Sequence, residues 1–270
     1  MTIRNIRGVL IGLVFLLTWS TARADVTLLV HGYLSGDDAW ESSGVARELQ
    51  NSGWTSGGRV RVGARGEVLL PPNVASGQRV FYLADLPSEA PLTVQADALK
   101  GGLIALRKQR GQEQTVLVGH SAGGVVARLL MVRFPELAIH TLITIASPHL
   151  GTDKAEVAGL VASTPLSMMA PMMGLDTLNR SRSLYEDLVR ERPGNFLYWL
   201  NHQPHPKARY LSIIRQEGFA FSGDNTVPVA SQDMARVAAL KDQTLPALTI
   251  GQDHALSRQD GVTLARVLTR

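Results

Sequence analysis

The sequence predicts an α/β fold: a mainly parallel sheet with helices on both of its faces. Short, continuous apolar runs such as Val26–Val30 and Thr115–Val118 read as strands buried on both sides, not as the in–out alternation of a half-exposed sheet. Stretches of helical periodicity separate these runs. No tight hairpin signal joins one run to the next, so consecutive strands need crossovers. With 270 residues, 45% of them hydrophobic and 19% charged, the chain suffices for one such domain with a sizeable core.

The first 24 residues stand apart from that pattern. Arg4 and Arg7 precede the apolar stretch Val9–Trp19, and Ala22-Arg23-Ala24 is a small-x-small cleavage site. Residues 1–24 therefore read as a signal peptide and Asp25 as the first residue of an exported, periplasmic or secreted chain. The apolar stretch falls short of the ~20 residues that a membrane span needs; the alternative is an uncleaved anchor. Three basic residues and no acid lie in this segment, so its removal takes the formal charge from +4 to +1. A near-neutral chain without a basic block has no electrostatic footprint for nucleic acid. The absence of cysteine leaves no disulfide, no thiolate metal site and no lipid-bearing thiol, so the exported domain (25–270) must rest on its own core.

Within the domain, Val26–Val30 is the first strand. Ser35-Gly36-Asp37-Asp38 is turn chemistry, and Trp40–Gln50 carries a helical pattern. Asn51–Gly66, rich in Gly, Arg and alternating Val, opens a segment (51–78) expected to form a hairpin or an irregular excursion. Arg79–Leu83 is a strand. Thr93–Arg110 is a helix closed by Gly111, with Gly101-Gly102 marking a close-packing point against the sheet. Thr115–Val118, Val125–Phe134 and His140–Ala146 continue as strand, helix and strand, Pro135 stopping the helix. Residues 153–206, mostly helical in pattern, Met-rich and punctuated by Pro, are expected to form a cap or lid inserted in the domain. Arg209–Ile214 and Leu248–Ile250 are the last strands and Val262–Leu268 the last helix.

The chemistry centres on Gly119-His120-Ser121-Ala122-Gly123, a G-x-S-x-G pattern with an apolar strand before it and an apolar helix after it. Such a strand-to-helix turn is cramped. It exposes the serine Oγ and tolerates only glycine where side chains would strike the neighbouring strand and helix. The helix N-terminus also aims free N–H groups at the reacting centre. Serine is a poor nucleophile at its free pKa and needs a base, and the base needs an orienting group. His254 follows the last strand through the turn Gly251-Gln252-Asp253, at the sheet edge where open α/β folds bind ligands. The acid should follow the preceding strand. There, Asp224 in Ser222-Gly-Asp-Asn-Thr-Val-Pro228 is preferred and Glu217 is the alternative. Donors for a developing oxyanion are expected from the main-chain N–H groups of Ala122 and Tyr33, the latter in the loop after the first strand.

These stretches, VHGY (30–33), GHSAGG (119–124), ASPHLGT (146–152) and SGDNTVP (222–228), resemble the α/β-hydrolase superfamily, and most of all its bacterial secreted lipase and esterase branch. RPGNFLYWLN (192–201) is similar to a cap segment of such lipases, with Asn195 in place of a serine. GPI-inositol-deacylase-like and lecithin:cholesterol acyltransferase-like hydrolases carry a similar Gly-Asp-x-Thr-Val around their acid. The resemblance implies a three-layer αβα sandwich and cofactor-free serine hydrolysis of a small-molecule acyl ester or lipid. It also implies catalytic roles for Ser121, Asp224 and His254 and an oxyanion hole at Tyr33 and Ala122. It implies no protein partner, and transient contact with a lipid surface at most. The first strand runs directly into His31-Gly32, so the two leading strands of larger members are absent. Leu256 stands where some relatives place a calcium-binding acid, so no metal is expected.

Several other residues have both a chemical and a packing reading. His31 suits a backbone-bonded structural histidine, and direct chemistry is the alternative. His120 shapes the pocket or packs. His149 lines the acyl pocket or orders its loop. His202 and His205 lack the carboxylate or Cys company of a metal site. Met168, Met169, Met172 and Met173 form either core packing or an adaptable lid suited to flexible acyl chains. Esters lead as substrates, with thioesters, amides, phospholipid acyl bonds or acyl transfer open to the same triad. A non-catalytic hydrolase-fold binding protein is the third alternative.

Overall fold

The structure is a computed structural model that describes residues 25–269 apart from 34, 37, 64–65, 73–78, 112, 156–179, 217–223, 225, 242 and 244. Residues 1–24, expected to be a signal peptide, and Glu217, Met168, Met169, Met172 and Met173 lie outside the described residues.

The apolar runs form strands as expected. They are β1 (Asp25–Val30), β4 (Val80–Asp85), β5 (Gln114–His120), β6 (Thr141–Ile145), β7 (Arg209–Ile214) and β8 (Ala247–Thr249). With β2 (Thr55–Val62) and β3 (Val68–Leu69) they make one eight-stranded sheet in the order β3-β2-β4-β1-β5-β6-β7-β8. Every pairing is parallel except β2 with β3. The segment 51–78 thus contains a hairpin whose first strand joins the parallel sheet. A register shift between Ser56 and Gly58, at the Gly57-Gly58 pair, breaks the alternation by which β2 would otherwise be read. Among the described residues β1 is the first strand, and β2 and β3 extend the sheet where leading strands would lie.

Helices cover both faces, as the alternation of side chains along each strand requires. Leu28, Val30 and Leu117 pack with α3 (Leu92–Arg110) and α4 (Ala122–Arg133). Their neighbours Leu29, Val116 and Val118 pack with α2 (Val45–Asn51) and the C-terminal helix (Arg258–Leu268) on the other side. The helical pattern of Trp40–Gln50 divides into α1 (Ala39–Ser42) and α2, separated at Gly44, whose φ is 84°. A side chain at Gly102 would press on Val60 of β2, which makes the Gly101-Gly102 pair a contact point between α3 and the sheet. Further helices among the described residues are α5 (Arg182–Leu188), α6 (Phe196–Asn201), α7 (Val229–Gln232) and α8, the C-terminal helix named above. No helix among the described residues is long and apolar enough to cross a membrane.

The tightest packing lies beneath the β5–α4 turn. A Cβ on Gly123 would collide with the carbonyl oxygens of Val30 and His31, which are rigid main chain. Overpacking of this kind costs about 1–3 kcal/mol, and a domain of this size loses roughly 2–4 °C of Tm per kcal/mol. Gly123→Ala is therefore expected to lower the calorimetric Tm by several degrees, whereas Gly111→Ala, facing open space at the end of α3, probes φ strain without collision.

Candidate active site

The C-terminal ends of β1, β5, β7 and β8 converge on one site. β5 ends at His120 and α4 begins at Ala122, so Ser121 alone makes the turn. Its φ of 52° and ψ of −130° are outside the regions that non-glycine residues favour. Its N–H is anchored on the carbonyl of Ile145 at 2.9 Å, and its own carbonyl accepts from Gly124 N–H at 3.0 Å. The strained turn leaves Oγ facing outward, away from the sheet.

The structure brings Ser121, His254 and Asp224 into one hydrogen-bonded line. His254 Nε2 lies 2.9 Å from Ser121 Oγ, and His254 Nδ1 lies 2.8 Å from Asp224 Oδ2. A carboxylate accepts only, so the proton sits on Nδ1 and the lone pair of Nε2 faces the serine hydroxyl. The Asp224 side chain is fully buried. Burial alone would raise its pKa. The hydrogen bond and charge of His254 and the main-chain N–H groups of Val227 and Thr226 outweigh that, and hold it below the ordinary 3.8. The N–H bonds run 2.8 Å from Thr226 and 2.9 Å from Val227, both to Oδ1.

Gln232 completes the setting of the acid. Fully buried at the end of α7, it donates its amide to Asp224 Oδ2 at 3.0 Å and to the Val227 carbonyl at 2.8 Å. Sequence reasoning missed it, because nothing around Gln232 distinguishes it from a surface glutamine. Its one signal is its place in a short polar turn soon after the acid.

The other predicted residues separate into those at the site and those behind it. Gly32 approaches so closely that a Cβ there would stand 2.8 Å from Ser121 Cβ, which brings the Tyr33 main chain beside the serine. Ala122 is the first residue of α4, where an N–H has no intrahelical acceptor. The Tyr33 ring meets Tyr185 of α5 edge-on at 5.3 Å, and their hydroxyls are hydrogen-bonded. His120 is buried, and its Nε2–H donates to the main-chain carbonyl of His254 at 2.9 Å. Burial first, and then the proximity of His254, push its pKa down to about 3, so it stays neutral.

His31 and His149 stand outside the wall of the cavity at Ser121. His31 donates through Nδ1 to the Gly32 carbonyl at 3.0 Å and accepts the Leu86 N–H at Nε2. His149, wholly buried and held neutral by that burial, has Nε2 3.1 Å from Thr144 Oγ1, while its main-chain N–H reaches Ser231 O at 2.8 Å. Both tie loops together. His205 faces the buried Arg128 at 3.2 Å, and no group of three metal-ligating side chains occurs among the described residues.

The cavity itself measures about 480 Å³, with Ser121, His120 and His254 at its base. Ser35, Ser42, Ser43, Ala255 and Leu256 also line it, and among the described residues no charged side chain contributes to the wall.

Comparison with known proteins adds the family. The profile of the palmitoyl protein thioesterase family matches residues 88–239, more than half of the chain and a span that includes Ser121 and Asp224. The chain belongs to that family. It is thereby an ester hydrolase of the α/β-hydrolase superfamily, and solved structures agree on the fold. The lin2722 gene product of Listeria innocua superposes with a TM-score of 0.59 at 16% identity over 85% of each chain. The mature lipase BlEst2 of Bacillus licheniformis gives 0.56 at 15% identity, over 92% of this chain and 91% of that one. The metagenomic carboxyl esterase MGS0156 gives 0.53 at 15% identity, over 92% of this chain and 75% of that one. No curated protein sequence matches this one.

The setting of Asp224 predicts an acid-dependent stability. A carboxyl whose folded pKa is depressed stabilises the fold above its unfolded value, and that contribution disappears as pH falls through the lower folded value. Asp224→Asn lacks it. The variant is expected to lose less stability than the wild type in urea melts between pH 5 and pH 2; parallel losses would contradict the ionised, hydrogen-bonded carboxylate.

Proposed function

We propose that the protein is an exported serine hydrolase that cleaves carboxylic esters, lipase-like in its preference for acyl lipids, through an acyl-enzyme. The observation that carries this reading is the continuous line from Asp224 through His254 to Ser121, with the imidazole lone pair on the serine hydroxyl. Ser121 Oγ attacks the ester carbonyl carbon as His254 Nε2 takes its proton. The carbonyl oxygen becomes an oxyanion received by the N–H groups of Tyr33 and Ala122, each such donor lowering the barrier by on the order of 3 kcal/mol. Asp224 keeps the imidazole in the productive tautomer and stabilises its cation. His254 then delivers the proton to the leaving alcohol as the C–O bond breaks. Water, activated by the same base, adds to the acyl carbon and releases the acid and free Ser121.

The described wall of the cavity carries no charged side chain, which favours a neutral substrate at the reacting centre. Export rests on the signal-peptide pattern of residues 1–24, and a covering role for 153–206 on its Met-rich composition. Membership of a thioesterase family favours a second reading, in which the same residues cleave a thioester and the leaving group is a thiolate. A thiolate leaves without the proton that an alkoxide needs, so the two readings differ in their dependence on His254 as acid.

A fluorophosphonate probe is expected to label Ser121. Ser121→Ala should abolish labelling and lower kcat on the order of 10⁶-fold, and Asp224→Asn should lower it about 10⁴-fold. Unchanged turnover in Ser121→Ala refutes the reading. Paired oxygen esters and thioesters of equal acyl length then separate the two substrates by kcat/KM, corrected for their uncatalysed rates.

A further inference from the structure

The loop that carries His254 has little regular structure of its own. β8 stops at Thr249 and α8 starts at Arg258, leaving residues 250–257 between them. Beside the His120 bond to the His254 carbonyl and the Gln216 N–H bond to the Gly251 carbonyl, the loop is held by a side chain from a different strand end, that of Arg215 just beyond β7. Arg215 is 1% exposed. Its Nη1 donates to the Ile250 carbonyl at 3.1 Å and to Asp260 Oδ1 at 2.6 Å. Its Nη2 donates to the Ala255 carbonyl at 3.0 Å and to Asp260 Oδ2 at 3.2 Å. The two carbonyls lie on either side of His254 in the chain. The planar guanidinium therefore grips the loop at both ends while its charge is met by a carboxylate that is itself fully buried.

Asp260 extends the grip. It closes the capping box of α8, accepting from the Ser257 N–H at 2.8 Å, and so fixes where the loop ends. The main chain of Arg215 faces the other way. Its N–H donates to Gln232 Oε1 at 2.8 Å, and the amide of that glutamine holds Asp224. One residue is thus fastened both to the loop of the base and to the support of the acid.

Stability alone does not account for this arrangement. The desolvation of a buried ion pair largely offsets its attraction, and apolar residues of similar volume often serve as well or better. An apolar pair, however, has no directional donors for the Ile250 and Ala255 carbonyls. We propose that Arg215 and Asp260 are positioning residues, a clamp that sets His254 between Ser121 and Asp224 without touching the substrate. The proposal rests on the reading of these three residues as the catalytic group. A misplacement of about 1 Å at a reacting group can cost 10²-fold in rate, so the clamp has a kinetic signature.

The test is the double variant Arg215→Met with Asp260→Asn, assayed on an ester together with active-site titration by a fluorophosphonate. It leaves no unpaired buried charge, and the carboxamide oxygen introduced by Asp260→Asn still accepts from the Ser257 N–H. The expected result is a Tm near that of the wild type and labelling of Ser121 to full stoichiometry. The labelling rate and kcat fall about 10–100-fold, and KM stays within about twofold. A folded double variant with wild-type kcat overturns the clamp. So does a loss of kcat matched by an equal loss of labelled protein, which marks a merely structural role. Should the double variant not fold, Arg215→Lys decides. Its ammonium can pair Asp260 but cannot span both carbonyls, so a full-stoichiometry enzyme with kcat lowered at least about fivefold supports the clamp, and wild-type kcat overturns it. Failure of the wild type to label at Ser121 refutes the catalytic reading instead, whatever the variants do.

Discussion

β5 and α4 are separated by a single residue, and that close passage sets the position of everything around it. Ser121 can hold a φ of 52° because its neighbours leave no alternative: its N–H is fixed on Ile145 and the apolar face of α4, including Val125, Leu129 and Leu130, is buried against the sheet. Strain of this kind costs about 1–3 kcal/mol and persists only where packing over-determines it. Because α4 runs so near β1, Gly123 sits against the main chain of His31 and Gly32 sits against Ser121. The same two approaches bring the loop that carries Tyr33 close to Ser121 and the start of α4. On the proposed mechanism, the reception of the oxyanion and the presentation of Ser121 thus follow from one packing constraint.

The charges around that turn are few and separately managed. Asp224 is buried but meets four donors, from Thr226, Val227, Gln232 and His254, so it stays ionised. His120, 5.2 Å from the His254 ring, is held neutral and supplies a single N–H to the His254 carbonyl. On the proposed mechanism this matters when His254 becomes cationic, because no second imidazolium stands beside it. The polar groups that remain are arranged in fixed directions within a low-dielectric interior, where such fixed dipoles act most strongly on developing charge.

Much of this was legible in the chain. The continuous apolar runs became strands, and the turn at Ser121, the polar turn at Asp224 and the loop at His254 each follow a strand in the order expected of the fold. What could be read there was local: a strand, a turn and a residue type capable of the chemistry. β2 was harder to read, because its Gly57-Gly58 irregularity interrupts the period-two pattern of a strand. His31 read first as a backbone-bonded structural histidine and His149 equally as a pocket or a loop residue, and only the tertiary structure shows their ring and main-chain partners. Gln232, Arg215 and Asp260 were invisible for a related reason. A buried polar network is assembled from strand ends and helix starts distant in the chain, and its members resemble ordinary surface residues until the fold buries them.

A crystal structure of the protein after reaction with a long-chain alkyl phosphonate ester tests the assignment of Ser121 most directly. The proposed geometry predicts phosphorus bonded to Ser121 Oγ and one phosphonyl oxygen within about 3 Å of both the Tyr33 and Ala122 nitrogens. His254 Nε2 should lie on the side from which the alcohol departed. Phosphorus on another residue, or a phosphonyl oxygen turned away from those two nitrogens, would contradict it.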